Sequence, residues 1–371
     1  MKNISYPINL GFFYGYSPSG HQIAAKAISQ FFPESIVKTH YFNLSQIYPY
    51  IGPFFAQTYF KIIQKTPYLW NYLYDNKYLS IANENMKHLI PDFYIKKIIK
   101  EIVEKKINAI VNTHALASIL TSYKLMPLNG VKRFAVLTDI SPHSFWDKNC
   151  DKYYVPTKYT FKKLICEKIE PEKIAIFGMP IRKEFNEKIN TEEIKKRFNI
   201  KSIYPTFLIT GGNHGIIELE EIIEAFRKTN KKINLIIMCG NNKNLIKKLA
   251  SLHTRNLNFY PLPYIKNPAE IYAISDCIIG KSGGMTIFET AFLKKPLIVY
   301  SPIPGQEERN LNYLKKHNAC FYAEDSKQLY TLIEYFFSNK KKFREISENM
   351  SRLNIKNASF EIANDILKEI I

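Results

Sequence analysis

The amino-acid sequence predicts an α/β protein with two doubly wound parallel-sheet domains. Three observations support this prediction. A chain of 371 residues has the length of two ordinary domains. Short apolar runs alternate with helical patterns from one end to the other, which is typical of parallel sheets covered by helices. A glycine and a proline also interrupt the pattern close to the middle of the chain, at Gly178 and Pro180.

The predicted elements follow in a regular order. The apolar runs predict strands over Asn9–Tyr14, Ile36–Tyr41, Ala109–Asn112, Phe134–Thr138, Lys152–Val155, Ile174–Phe177, Thr206–Thr210, Asn234–Cys239, Leu257–Tyr260, Cys277–Gly280, Leu297–Tyr300 and Ala319–Tyr322. Amphipathic periodicity predicts helices between them, including His21–Phe31, Ile216–Lys228, Lys243–Ser251, Thr286–Leu293 and Glu307–His317.

The break at 178–180 divides the chain into an N-terminal domain over residues 1–180 and a C-terminal domain over 181–355. The last segment, 356–371, contains a helical pattern over Ala358–Ile371 that follows the second series of strands. Because that series is already complete, we expect this helix to pack back across to the first domain.

The composition excludes several classes of protein. Hydrophobic residues make up 46% and aromatic residues 14%, enough to bury a core and to exclude disorder as the main state. No uncharged apolar run reaches the roughly 18–20 residues of a membrane span. The N-terminal segment does not resemble a signal peptide. The five cysteines are dispersed, which predicts neither a disulfide framework nor a zinc site. We therefore expect a protein on the cytosolic side of a membrane.

The formal net charge of +19 comes mainly from lysine and is spread along the chain. This pattern favours an anionic membrane surface over nucleic acid, which arginine on one concentrated face would indicate. The segment Phe42–Tyr74 is rich in aromatic residues and carries only two charges, Lys61 and Lys65. It is either an insertion packed into its own domain or a surface that enters the membrane interface.

Two polar segments in the first half follow predicted strands. Gly15–His21 resembles a phosphate loop, but His21 and Gln22 replace the required lysine and hydroxyl residue, so a nucleotide triphosphatase is excluded. The turn instead places His21 at a helix start, as a general base or as a capping residue. In Thr138–Trp146, Asp139 and His143 form either a polar pocket or an ordinary turn.

Two glycine turns in the second half are typical of phosphate binding. In Ser275–Thr290 a buried strand ends at Gly283 and Gly284, where a helix begins and can present free N–H groups to a phosphate. Glu289 follows and can bind the vicinal hydroxyls of a ribose. The segments Pro302–Asn310 and Thr210–Gly215 can add sugar and diphosphate contacts. The sequence contains no Asp-x-Asp motif for a metal clamp.

Together these motifs resemble a known family. Gly280–Glu289 with Pro302–Asn310 is similar to the donor-binding signature of glycosyltransferase family 28. The N-terminal motifs resemble those of diacylglycerol glycosyltransferases, namely the monogalactosyldiacylglycerol synthases and the bacterial diacylglycerol glucosyltransferases. These motifs are Gly20-His21 with Ala24-Ala25, Thr138-Asp139 with His143 and Trp146, Tyr154-Val155, and Gly178–Arg182 with Phe185.

The resemblance implies two Rossmann-like domains facing a cleft, the GT-B architecture. It implies an inverting transfer of glucose or galactose from a UDP-sugar on the C-terminal domain to diacylglycerol on the N-terminal domain, without a metal or other cofactor. It implies catalytic roles for His21 and Asp139. The implied donor contacts are Gly211, Gly212, Asn213, Ser282, Gly283, Gly284, Met285, Thr286, Glu289, Gln306 and Glu307. The implied acceptor or membrane contacts are Gly20, His143, Trp146, Phe55, Tyr59 and Trp70.

The sequence departs from the family at one place and leaves alternatives open. The family usually has three glycines before the histidine, whereas Ser17-Pro18-Ser19-Gly20 precedes His21 here. An N-acetylglucosamine transferase that acts on the peptidoglycan lipid precursor is a second interpretation on the same fold. A UDP-sugar epimerase shares the architecture as well. A non-catalytic lipid- or nucleic-acid-binding protein is a third class.

Overall fold

The computed structural model describes residues 7–17, 19–48, 92–123, 125–126, 128–142, 145–211, 218–252, 254–353 and 356–371. The chain divides into two compact units. The first is drawn from Met1–Lys183, Pro304–Gln306 and Lys356–Ile371, and the second from Glu184–Ile303 and Glu307–Ile355.

The first unit is built on a parallel sheet of six strands. In chain order they are β1 (Ile8–Tyr14), β2 (Val37–Asn43), β3 (Ala109–Asn112), β4 (Lys132–Val136), β5 (Lys152–Val155) and β6 (Ile174–Ile176), and their spatial order is β2-β1-β3-β4-β5-β6. Successive side chains of β1 point to opposite faces, so Phe12 and Phe13 belong to different core clusters. Both faces are therefore buried, which explains the continuous apolar runs.

Helices cover both faces of this sheet. The helices of the first unit that precede residue 184 are Gly20–Ser29, Leu44–Ile47, Asp92–Glu104, Ala115–Leu120 and Lys158–Cys166, with a short 3-10 helix at Pro171–Lys173. Ile28 of the first helix and Ile98 of the third are both fully buried, on opposite faces of the sheet.

The C-terminal helix, Ser359–Ile370, packs within the first unit. Its apolar side, which includes Ile362 and Ile366, lies in the core beside β1. Ion pairs join its polar side to the sheet, since the ammonium of Lys152 lies 2.6 Å from Asp365 and 3.1 Å from Glu369. The chain thus returns to the first sheet after the second sheet is complete.

The second unit has a parallel sheet of the same size. Its strands are β7 (Thr206–Thr210), β8 (Ile233–Gly240), β9 (Leu257–Pro263), β10 (Cys277–Gly280), β11 (Leu297–Tyr300) and β12 (Phe321–Ala323), in the spatial order β12-β11-β10-β7-β8-β9. All five residues of β7 are buried, as expected for a central parallel strand.

The helices between residues 190 and 352 enclose this sheet. They are Thr191–Arg197, Leu219–Arg227, Lys243–Ala250, Pro268–Ile274, Gly284–Phe292, Gln306–Lys316, Ser326–Ser338 and Lys340–Ser351, and a 3-10 helix at Lys183–Asn186 precedes them. The aromatic rings of Phe226 and Phe336 meet Phe207 of β7 edge to face, with centroids 5.1 and 4.9 Å apart, and fill the core on one side.

The predicted α/β class and its two doubly wound sheets are confirmed. All twelve predicted strands are present: five have the predicted ends, and in the other seven an end differs by at most three residues. The largest differences include the fourth strand, which runs over Lys132–Val136 and not Phe134–Thr138. All five cysteines are free, and four of them, Cys150, Cys239, Cys277 and Cys320, are buried. No helix in the described part of the chain is both long and apolar enough to cross a bilayer.

Candidate active site

Each sheet has one point where the strand order changes direction. In the first sheet it lies between β1 and β3, and in the second between β7 and β10. Ligands of open parallel sheets bind beyond the carboxyl ends of the strands at such a point. His21, Gly211 and the glycine turn at Gly283 follow strands at these points, so the site is described one unit at a time.

His21 lies in the first turn of the helix Gly20–Ser29, directly after β1. The helix is capped by Ser19, whose hydroxyl oxygen accepts a hydrogen bond of 3.2 Å from the N–H of Gln22. The same hydroxyl donates to the carbonyl of Tyr16 at 2.7 Å, which closes the turn. Ser19, the departure from the family's three glycines, therefore starts the helix and relieves His21 of a capping role.

The His21 imidazole is held through Nδ1. This atom lies 2.7 Å from the carbonyl oxygen of Thr113, which follows β3, and 3.0 Å from Oγ1 of Thr138, which follows β4. A carbonyl can only accept, so Nδ1 carries the proton and Nε2 carries the lone pair. Three adjacent strand ends thus fix the tautomer that a general base requires.

Asp139 is linked to this arrangement through Thr138. Its Oδ2 is 3.4 Å from Oγ1 of Thr138, so the threonine hydroxyl can accept from His21 and donate to Asp139. Burial lowers the pKa of the His21 imidazole below its ordinary value, while the charge of Asp139 and the bond to Thr113 oppose that shift. A lowered pKa keeps His21 neutral, and able to take a proton, at neutral pH.

The sequence interpretation missed Thr113 and His114. Besides its carbonyl bond to His21 Nδ1, Thr113 donates its hydroxyl to the carbonyl of His21 at 3.0 Å. The His114 ring meets the His21 ring edge to face, with centroids 4.6 Å apart. Both residues directly follow a predicted strand, Ala109–Asn112, so the rule about carboxyl ends could have identified them.

The other predicted residues of the first unit are less directly placed. Gly20 begins the helix next to His21. Trp146 is only 8% exposed and packs in a core cluster with Leu137 and Tyr153, which leaves little of its ring for a membrane surface. The predictions for Phe55, Tyr59, Trp70 and His143 fall outside the described residues.

In the second unit, hydrogen bonds from the helix Gln306–Lys316 hold the turn after β10 in place. Ser282 is fully buried and donates its hydroxyl to the carbonyl of Glu307 at 2.7 Å. The amide of Asn310 donates to the Ser282 carbonyl at 2.9 Å. The Glu307 carboxylate accepts the N–H of Ile303 at 2.7 Å. The structure brings these segments together as predicted, but part of the Glu307 side chain is engaged in the turn itself.

Gly280 is required by close approach of the backbone. A Cβ at this position would lie 2.8 Å from the carbonyl oxygen of Thr210, which is closer than real Cβ atoms come. β7 and β10 can therefore pair at their carboxyl ends only with glycine here. This brings Gly211, the residue after β7, to the switch point of the sheet together with the turn after β10.

Gly283 caps the helix Gly284–Phe292 without a capping side chain among the described residues. Its backbone angles are ordinary, and an added Cβ would meet Glu307 Oε1 at 3.4 Å, an ordinary contact. Glycine is therefore not needed here for conformation, and what it provides is open access to the first N–H groups of the helix.

The remaining predicted donor contacts lie in this helix and the next. Met285 and Glu289 are buried, Glu289 with 4% of its surface exposed, and Thr286 is half-buried in the first turn. Gln306 is half-buried and begins the helix Gln306–Lys316. The predictions for Gly212 and Asn213 fall outside the described residues.

Lys281 was not predicted, although it lies within the glycine motif. Burial lowers the pKa of its ammonium group, and the carboxylates of Glu307 and Glu218 oppose that shift. A lysine beside the uncapped helix start adds positive charge where an anion would bind. Among the described residues, no three His, Cys, Asp or Glu side chains lie together as a metal site.

Comparison with known proteins assigns each half of the chain. Residues 21–181 match the family described as monogalactosyldiacylglycerol (MGDG) synthase. Residues 206–366 match the glycosyltransferase family 28 C-terminal domain. The two matches fall on the two sheets and together cover most of the chain.

Relatives and one solved structure extend this result. The chain is 29% identical to the processive diacylglycerol beta-glucosyltransferase of Bacillus subtilis (strain 168) over 277 residues, 74% of this chain and 72% of the relative. It is 27% identical to the protein of the same name from Bacillus cereus (strain G9842) over 366 residues, 95% of this chain and 91% of the relative. The structure of S. aureus MnaA with UDP has the same fold, with a TM-score of 0.61, 16% identity and coverage of 98% of each chain.

Proposed function

The chain belongs to glycosyltransferase family 28, and we propose that it transfers a hexose from a UDP-sugar to diacylglycerol, with inversion at the anomeric carbon. The observation that carries this proposal is the pair of family matches, one on each unit. The N-terminal match is to a diacylglycerol-glycosylating family, and the relatives with the same two halves are named for the same acceptor.

His21 is the proposed general base. The 3-hydroxyl of diacylglycerol attacks the anomeric carbon of the sugar and gives its proton to Nε2 of His21. The bond between the anomeric carbon and the UDP oxygen breaks, and UDP leaves with the electron pair. Throughout this step the Nδ1–H of His21 remains hydrogen-bonded to the Thr113 carbonyl and the Thr138 hydroxyl. The imidazolium that forms therefore keeps its position.

Asp139 is the proposed partner of this base. Its negative charge favours the imidazolium, and it acts through the hydroxyl of Thr138. Because a neutral His21 with its proton on Nδ1 has a lone pair on Nε2 that can take a proton, we favour His21 over Asp139 as the general base.

The donor is proposed to bind at the switch point of the second sheet. The diphosphate would meet the uncapped N–H groups after Gly283, with Lys281 beside them, and Glu289 would bind the ribose hydroxyls. Charge that gathers on UDP in the transition state would be stabilised by these fixed donors. No metal or other cofactor is needed in this proposal.

The test is a transfer assay with diacylglycerol in liposomes and labelled UDP-glucose or UDP-galactose. We expect a β-linked glycolipid from one of the two donors, with its configuration determined by NMR. The same assay counts the sugars added. A protein that binds UDP but transfers neither hexose to diacylglycerol, and that transfers N-acetylglucosamine to a polyprenyl acceptor, would overturn the proposal.

We also propose that the enzyme reaches its lipid acceptor by peripheral attachment to an anionic membrane. Phe42, at the start of the aromatic segment, is buried against Phe13 and takes no part in this attachment. Support comes from the aromatic residues of the sequence over 49–74 and from the lysine-rich charge of +19. We expect salt to weaken binding to anionic liposomes without abolishing it, because only the charge term is screened.

Serine in place of Phe55, Tyr59 and Trp70 should remove the salt-resistant part of this binding. The matched control replaces three exposed aromatic residues of the described surface by serine, namely Tyr264, Tyr335 and Phe360. Equal binding of both triple variants in high salt would contradict the assignment.

A further inference from the structure

A groove of about 430 Å³ lies at the other edge of the second sheet. Pro205, Asp276 and Pro296 line it, and they directly precede β7, β10 and β11. Because parallel strands start at one edge and end at the other, this groove is remote from the glycine turns, which follow the carboxyl ends. Nothing in the proposed transfer reaction uses it.

The groove has an excess of positive charge. Asp276 is the one carboxylate among its described lining residues, and its Oδ2 already accepts the N–H of Thr206 at 2.8 Å. Five cationic side chains line the same space, Lys195, Lys294, Lys295, Lys340 and Arg344. They come from separate segments of the chain, so the fold concentrates them.

Lys295 is the groove cation whose charge is opposed by burial. Its ammonium donates to the carbonyl of Ala273 at 2.6 Å. Burial lowers the pKa of this ammonium, the charge of Lys195 lowers it further, and Asp276 opposes the shift. An anion in the groove would stabilise the charged form of both lysines.

An apolar wall accompanies these charges. Phe336 and Phe343 lie at the base of the groove with ring centroids 5.0 Å apart, but both belong to the core and are only 5% and 2% exposed. Ile203, 80% exposed, and Tyr204 line it as well. A ligand that fits both features has a compact anionic group and an apolar portion.

We propose that this groove binds a phosphate-bearing ligand, with the phosphate between Lys295, Lys340 and Arg344 and an apolar portion against Ile203 and Tyr204. Lysine offers a compact charge to phosphate, and arginine offers a two-pronged hydrogen bond. The ligand is either a soluble phosphate ester or the headgroup of an anionic lipid. The site does not depend on the proposed glycosyl transfer.

The test is calorimetric titration with phenyl phosphate and with inorganic phosphate. We expect phenyl phosphate to bind more tightly than inorganic phosphate, because only phenyl phosphate has a ring that can contact the apolar wall. Replacing Lys340 and Arg344, both exposed, by alanine should weaken phenyl phosphate about tenfold or more. The matched control, Lys341→Ala with Arg352→Ala, removes the same charge outside the groove from the same helix and its C-cap, and should change the affinity less than twofold.

Two further measurements identify the site and the source of the phosphate. Glu289 lies in the proposed donor site, in the helix Gly284–Phe292. Glu289→Ala should leave the affinity for phenyl phosphate unchanged even if the affinity for UDP falls. Binding to phosphatidylglycerol vesicles that falls in Lys340→Ala/Arg344→Ala but not in the control indicates a lipid headgroup. An effect on phenyl phosphate alone indicates a soluble ester.

Equal losses in the two double variants would overturn the inference, because they would show that diffuse charge alone attracts the anion. Absence of phenyl phosphate binding to the folded parent protein would overturn it as well. Failure of glycosyl transfer would leave these readouts unchanged, so the two proposals fail separately.

Discussion

The turn after β1 and the turn after β10 both lie at the switch point of their sheet but present different groups to a ligand. In the first, Ser19 caps the helix and the next turn presents the imidazole of His21. In the second, Gly283 supplies no side chain, and the helix start itself is presented. The cap residue thus decides whether a switch point offers a proton acceptor or a set of N–H donors.

The two turns are also supported differently. His21 is fixed by groups from two neighbouring strand ends, Thr113 and Thr138, that hydrogen-bond its ring. The second turn is fixed through Ser282, which the following helix holds by Glu307 and Asn310. Variants of the first turn should therefore change proton transfer, and variants of the second should change donor affinity.

The largest expected effect separates the two turns most clearly. His21→Ala removes the proposed base, so we expect kcat to fall about 10²–10⁴-fold while the affinity for UDP stays unchanged. Steady-state kinetics at saturating substrates and calorimetry with UDP measure the two quantities. His317→Ala, an exposed histidine of the second unit, is the control. Near-normal turnover of His21→Ala would transfer the role of base to Asp139.

Glu289→Ala should show the opposite pattern. Loss of a charge-assisted hydrogen bond to a ribose hydroxyl costs about 1.5–3 kcal/mol, so UDP affinity should fall more than tenfold. Glu289→Gln keeps the shape of this buried side chain and should retain part of the affinity. Circular dichroism and the melting temperature establish that each variant is folded. Unchanged UDP affinity in a folded Glu289→Ala protein would refute the donor assignment.

Thr138→Val tests how the Thr138 hydroxyl affects the pKa of His21. Loss of the hydroxyl removes one acceptor from Nδ1–H and the link to Asp139, so the imidazolium is less stable and the pKa of His21 falls further. We expect kcat to fall about two- to tenfold, the size of one hydrogen bond. In the parent, the acid limb of kcat should have its midpoint below about 6.5.

The pH profile of kcat distinguishes a change in the pKa of His21 from a loss of packing at Thr138. The acid limb should move to lower pH in Thr138→Val and return in Thr138→Ser, which restores the hydroxyl. An acid limb that is identical in all three proteins would show that Thr138 has only a packing role.

The smallest expected effect concerns two neighbouring glycines. Gly283→Ala places a methyl group 3.4 Å from Glu307, so we expect an unchanged melting temperature and a UDP affinity reduced a few-fold.

Gly280→Ala would press on the Thr210 carbonyl and should lower the free energy of unfolding by about 1–3 kcal/mol. Thermal unfolding and calorimetry report both. A destabilised Gly283→Ala protein would show that this glycine serves the fold and not the ligand.

The sequence by itself determined the fold class and the order of the elements. Apolar runs such as Thr206–Thr210 are unambiguous, because a strand buried on both faces needs apolar residues at every position. The sequence also predicted that His21, Asp139 and the glycine turn at Gly283 follow strand ends, since polar and glycine residues after a buried strand indicate the carboxyl edge of a sheet.

Only the tertiary structure decided how these residues work together. The bonds between His21 and the strand ends at Thr113 and Thr138 join residues about a hundred positions apart, and no local pattern encodes such a distance. The burial of Trp146 in its core cluster depends on neighbours from other segments. The hydrogen bond between the Glu307 carboxylate and the N–H of Ile303 likewise depends on how the turn folds. The cationic groove at Lys295 likewise gathers charges from separate segments. Periodicity reports which side of an element is buried, whereas hydrogen bonds and charge clusters depend on which elements the folded sheet places side by side.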